Sequence, residues 1–109
     1  MHGKLIELGV KNEPSDNMLE SAVEKKLRDG IRKLGGECEK VISQSHAGFP
    51  DRSIFLKGKH YVLELKRANG RIRSDQQVLI DLILETGNDV YVTYGISGVN
   101  QFLEEVKCL

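Results

Sequence analysis

The chain has 109 residues, 39% of them apolar and 29% charged, and its sixteen basic and sixteen acidic side chains cancel to zero net charge. This length suits one domain with a modest core, so residues 1–109 are read as a single domain. The charge balance argues against coating nucleic acid by bulk electrostatics, no apolar run reaches the roughly 20 residues of a membrane span, and Cys38 and Cys108 alone indicate neither a disulfide framework nor a zinc knuckle.

The start, Met1-His2-Gly3-Lys4-Leu5-Ile6, has no apolar secretory stretch, which sets an intracellular location as the expectation. Leu5 to Leu8 can form a short strand, with Gly9 and Pro14 as breaks after it. From Asp16, read as an N-cap, Leu19, Val23, Leu27, Ile31 and Leu34 recur at helical spacing until Gly35-Gly36. Strands are predicted over Cys38 to Ile42, Arg52 to Leu56 and Tyr61 to Lys66, the last two joined by a hairpin around Lys57-Gly58-Lys59. Ser74, with Gln77 as its capping-box partner, starts a second helix that runs to Gly87. Asp89 to Tyr94 alternates as a strand, and Ser97 caps a final helix with Val99, Phe102, Leu103 and Val106 on its apolar face. The order implies an α/β fold, a mixed sheet flanked by helices.

Chemistry concentrates on the hairpin. Asp51 shares a strand face with Ser53 and Phe55, and Glu64 shares one with Val62 and Lys66. A tight turn at Gly58-Lys59 sets Asp51 opposite Lys66, with Glu64 a diagonal neighbour. Crowded carboxylates call for a cation, and magnesium, held by one or two carboxylates plus water and a phosphate oxygen, fits that need. Such an ion activates water for phosphodiester hydrolysis, with Lys66 orienting or deprotonating the water or stabilising developing charge. Taken alone, Asp51 and Glu64-Leu65-Lys66 are common residues that read more readily as ordinary surface ion pairs.

Two helical positions add to the set. At about 100° per residue, Glu20 falls within about 40° of the centre of the first helix's apolar stripe, where a carboxylate is costly without a partner or metal. The competing reading is a solvated acid in the first turn, favourable to the helix dipole. Gln76 shares the inward side of the second helix with Ile80 and Ile83 and needs hydrogen-bond partners there. Lys57 and Lys59 in the hairpin turn, and Arg67, Arg71 and Arg73 in the loop after Lys66, are candidate phosphate contacts beside the metal site.

Glu20, Gly48-Phe49-Pro50-Asp51, Glu64-Leu65-Lys66 and Gly70-Arg71-Ile72-Arg73-Ser74-Asp75-Gln76 together resemble the virus-type replication-repair nuclease (VRR-NUC) domain of the PD-(D/E)xK restriction-endonuclease-like superfamily. The resemblance covers about residues 18 to 106. It implies Glu20, Asp51 and Glu64 as acidic metal-site residues, Lys66 as the catalytic lysine, Gln76 as a further active-site residue, and Mg2+ or Mn2+ as cofactor. Arg73-Ser74 departs from the Ser-Pro of many relatives, which bears on the local loop shape. Small stand-alone members are similar to phage and viral proteins that dimerise and cut branched DNA such as four-way (Holliday) junctions, so the resemblance implies a homodimeric endodeoxyribonuclease, placed in host-cell cytoplasm if viral. A nuclease without junction preference, one that needs a partner complex, an inactive DNA-binding module and a structural interaction protein stay open as alternatives.

Overall fold

The computed structural model describes residues 2 to 109. Five strands form one mixed sheet in the order β1-β5-β4-β3-β2, where β1 is Leu5–Leu8, β2 Glu37–Lys40, β3 Arg52–Leu56, β4 Lys59–Lys66 and β5 Val90–Tyr94. The meander β2, β3, β4 is antiparallel, whereas β5 runs parallel to both β4 and β1. A parallel crossover needs a covering helix, and α2 (Ser74–Glu85) supplies it between β4 and β5. Helices α1 (Glu20–Lys33) and α3 (Gly95–Lys107) pack together on the opposite face. Among the described residues no helix is long and apolar enough to cross a membrane.

Strand alternation builds the two cores. Val23, Leu27 and Ile31 of α1 and Val99, Phe102 and Val106 of α3 meet Ile54, Leu56, Leu63 and Leu65 on one face. Ile80 of α2 meets Val90, Val92 and Tyr94 on the other. The interior strand β5, between β1 and β4, is buried along its whole length, which explains its run of Val and Tyr. Both cysteines are free thiols; burial of Cys38 in the first core pushes its pKa up to about 11.

Two local features at the start of α1 differ from the sequence reading. Helix α1 begins at Glu20 with Leu19 at the N-cap, so the apolar stripe ends at Val23 and Leu19 is 67% exposed. Asp16 is buried in a short 3-10 turn, Pro14–Asp16, where its carboxylate accepts the Ile96 and Ser97 backbone N–H groups, each at 2.9 Å. It therefore caps α3, the role expected of Ser97, across a long stretch of chain. Gly95 is bound to this contact: its φ is +66° and an added Cβ would collide with the Asp16 carboxylate.

The hairpin differs as well. Its two turn residues are Lys57 and Gly58, with φ of 53° and 77°, not Gly58-Lys59. The register pairs Arg52 with Leu63 and Leu56 with Lys59, so Asp51, one residue beyond the ladder, falls opposite Glu64 instead of Lys66. Because the change from the expected pairing is two residues, the same faces still meet.

Candidate active site

The site lies at the end of the sheet where β3 begins and β4 finishes. Glu64 is 4% exposed, on the α2 face of β4, and its Oε1 accepts the Asp51 backbone N–H at 3.2 Å. The other oxygen, Oε2, accepts Gln76 Nε2 at 2.8 Å and lies 3.3 Å from Lys66 Nζ. Asp51 Oδ1 accepts the Leu65 N–H at 3.1 Å, and Oδ2 pairs with Arg52 Nη1 at 2.9 Å. Asp51, Glu64, Lys66 and Gln76 thus form one connected group.

Gln76 holds two elements to it. As the third residue of α2, its Oε1 accepts the Arg73 backbone N–H at 3.0 Å and Lys66 Nζ at 2.8 Å. The capping-box role assigned to Gln77 belongs to Gln76, one residue earlier, and Arg73, not Ser74, stands at the N-cap. Gln77 instead donates to Asp81. Capping and site duty are carried by one amide, because its carbonyl has two lone pairs and its NH2 is free to reach Glu64. The approach to α2 is equally constrained: a Cβ on Gly48 would lie 2.6 Å from the Asp75 carbonyl oxygen.

Electrostatics set this pair of carboxylates apart. Burial pushes the Asp51 carboxyl above its ordinary range and the Glu20 charge adds to the rise, while the Arg52 guanidinium and the Leu65 N–H oppose it. Burial also raises Glu64, reinforced by the Asp51 charge and opposed by Lys66 and Gln76. Two acids that repel each other, each with one oxygen, Asp51 Oδ1 and Glu64 Oε1, accepting a single backbone N–H, have acceptor capacity left for a cation. Hard carboxylate oxygens of this kind fit magnesium or manganese.

Glu20 is placed differently from the expectation. It is exposed in the first turn of α1, because it is the helix's first residue and its side chain is not yet inside the stripe. Its charge reaches Asp51, yet among the described residues no three Asp, Glu, His or Cys side chains converge closely enough to hold one ion. The acidic set is a pair with a nearby third charge.

The basic candidates separate by location. Lys57 and Lys59 belong to the opposite end of the hairpin, six strand residues and on the order of 20 Å from Asp51, so they are not beside the site. Lys57 Nζ lies 3.3, 3.0 and 2.9 Å from the carbonyl oxygens of Val106, Lys107 and Leu109, closing the C-terminus of α3. Arg67 donates to the Met18 carbonyl at 3.0 Å and to Asn17 Oδ1 at 3.1 Å, tying the loop after β4 to the entry of α1. Arg73 pairs with Asp75 at 3.1 Å. Arg71 is exposed and has no partner among the described residues.

Sequence reasoning missed Arg52. It is 3% exposed on the α1 face of β3, joined to Asp51 and, at 3.5 Å, to Glu24, which itself reaches Arg28 at 3.4 Å. The signal was its parity with Ile54 and Leu56: an arginine on a buried strand face needs a carboxylate partner.

No family model and no curated protein matches the sequence. Among solved structures, one described as a VRR_NUC domain aligns with 23% identity and a TM-score of 0.71 over 78% of this chain and 94% of that one. The chain therefore has the fold of a VRR_NUC domain.

Proposed function

We propose that this protein is a metal-dependent DNA endonuclease, acting as a homodimer with a preference for branched DNA such as four-way junctions. The observation that carries the reading is the hydrogen-bonded group of Asp51, Glu64, Lys66 and Gln76 at one end of the sheet. Its likeness to the VRR_NUC fold supports the same reading.

Asp51 and Glu64 are the residues that would hold Mg2+ or Mn2+, with the charge of Glu20 acting on Asp51 from the first turn of α1. Bound there, such an ion lowers the pKa of its water and offsets charge on the phosphate. Lys66 holds its protons at Nζ, aimed by Gln76 Oε1 and Glu64 Oε2, and stabilises the additional negative charge of the transition state. Gln76 keeps Lys66 and Glu64 in register as it starts α2. Arg71, exposed in the adjacent loop, contacts backbone phosphate, and Arg67 and Arg73 shape that loop. Two copies about a two-fold axis would present two such sites to the symmetric strands of a junction.

The test is cleavage of linear duplex, flap and four-way junction DNA, each with magnesium, manganese or EDTA. Metal-dependent cutting, fastest on the junction, is expected. Equal rates on all three substrates remove the branch preference, and no cutting with either metal removes the nuclease assignment.

A further inference from the structure

Leu19 is out of place by every stability criterion. It occupies the N-cap of α1, where Ser, Thr, Asp or Asn would satisfy an orphan N–H and where leucine makes no cap hydrogen bond. It is also 67% exposed, so little burial compensates for the missing cap. The next residue is Glu20, whose charge acts on Asp51.

A second exposed aliphatic side chain lies at the same end of the molecule. Ile42 is 80% exposed, just beyond β2. The neighbouring Val41 N–H donates to the Asp51 carbonyl at 2.8 Å, which fixes the chain beside the carboxylate pair. Helix α1 and β2 are joined by the short Leu34–Gly36 turn and run back along each other. Leu19 at the entry of α1 and Ile42 just past the exit of β2 therefore lie toward the same end of the molecule. Both are presented from anchored backbone: the Met18 carbonyl is held by Arg67 and Val41 by Asp51.

Resting on the nuclease reading, we infer that Leu19 and Ile42 are apolar wedges that unstack DNA bases beside the phosphate that a metal ion at Asp51 and Glu64 would engage. Aliphatic side chains that insert at a base step offset the cost of unstacking with a kinked duplex that meets more protein surface. Unstacking costs least where stacking is already interrupted, as at a branch point, so the wedges favour branched over continuous duplex without reading bases. A protein with zero net charge gains little from nonspecific phosphate attraction, which makes such a shape-dependent contact a larger share of its selectivity.

The test uses a four-way junction carrying 2-aminopurine next to the branch point, mixed with the full chain in calcium, with binding followed in parallel by fluorescence anisotropy. Wild type is expected to raise 2-aminopurine fluorescence several-fold. The variant Leu19→Ser with Ile42→Ser is expected to lose at least half of that rise and to cut junction and linear duplex at similar rates. Leu19→Ser alone is expected to keep a Tm within about 2 °C of wild type or above it, since a cap replaces an exposed leucine. Retention of the full fluorescence rise by the double variant overturns the inference, as does a Tm fall of the size seen for a core truncation. Binding and cleavage by wild type with no fluorescence rise overturn the wedge and leave the nuclease reading standing; no DNA binding overturns both.

Discussion

Asp16 and the Asp51–Glu64 pair are both carboxylate sites removed from bulk water, and they behave in opposite ways. Burial works to raise the Asp16 pKa, but the Ser97 and Ile96 N–H groups and the Ser97 hydroxyl outweigh it, and the carboxyl stays below its ordinary range. At Asp51 and Glu64, burial wins, and the Glu20 charge adds to it at Asp51 and the Asp51 charge at Glu64. The first site uses its charge to close α3 onto the turn before α1, and folding gains from ionisation. The second is kept at a cost to folding, with oxygens left over for a ligand. Burial of an acid therefore does not mark function by itself: hydrogen-bond donors overcome it at Asp16 and do not at Asp51 and Glu64.

Substitutions should divide along this line. The largest effect is expected for Glu64→Gln or Asp51→Asn, which should lower metal-dependent cleavage by about 10³-fold or more while the urea unfolding midpoint holds or rises, because a repulsive charge has been removed. Gln76→Ala should lower the rate by about 10–100-fold, comparable to loss of an outer-shell partner, and single-turnover kinetics should place the loss in kcat more than in binding. Asp16→Ala should do the reverse of Glu64→Gln: a stability loss of about 1–2 kcal/mol by urea unfolding, with the cleavage rate at 25 °C retained. The smallest effect is expected at the far end of the hairpin, where Lys57→Ala should cost about 0.3–1 kcal/mol and leave cleavage unchanged.

The pH dependence of stability sharpens the same contrast. A lowered folded pKa means that the Asp16 contribution is present above the unfolded value near 4 and is lost as pH falls through the lower folded value. Raised folded values at Asp51 and Glu64 give the opposite sign: their contribution is present below the unfolded pKa and is lost as pH rises through the folded one. In metal-free buffer, Asp16→Asn should flatten the acid limb of the stability profile below pH of about 4, whereas Glu64→Gln should reduce the loss on the rising side above it. Identical profiles for the two variants would contradict the distinction.

The sequence made the elements legible where periodicity was strong. Val23, Leu27 and Ile31 define α1, and the alternation of Arg52, Ile54 and Leu56 against Leu63 and Leu65 defines the sheet face they cover. Asp51, Glu64, Lys66 and Gln76 were also legible, since strand parity survives a two-residue register change and Gln76 shares the side of Ile80. What failed depended on contacts distant in the chain. Nothing local in the sequence tells Asp16 to cap α3, or draws Lys57 to the carbonyls after Val106. Glu20 and Leu19 were read from an apolar stripe extended one turn too far, because the helix boundary, not the spacing, decides which first-turn side chains are covered. Arg52 was overlooked because attention went to the Asp51, Ser53 and Phe55 face of its strand, and Arg52 lies on the other.

The central claim is that Asp51 and Glu64 form the catalytic carboxylate pair. It is tested most directly by single-turnover cleavage of a four-way junction in manganese, comparing wild type with the Asp51→Asn, Glu64→Gln double variant at matched folded fraction. The double variant should lose cleavage to background while its unfolding midpoint is maintained. A rate within about threefold of wild type, a barrier change of less than about 0.7 kcal/mol, contradicts the assignment.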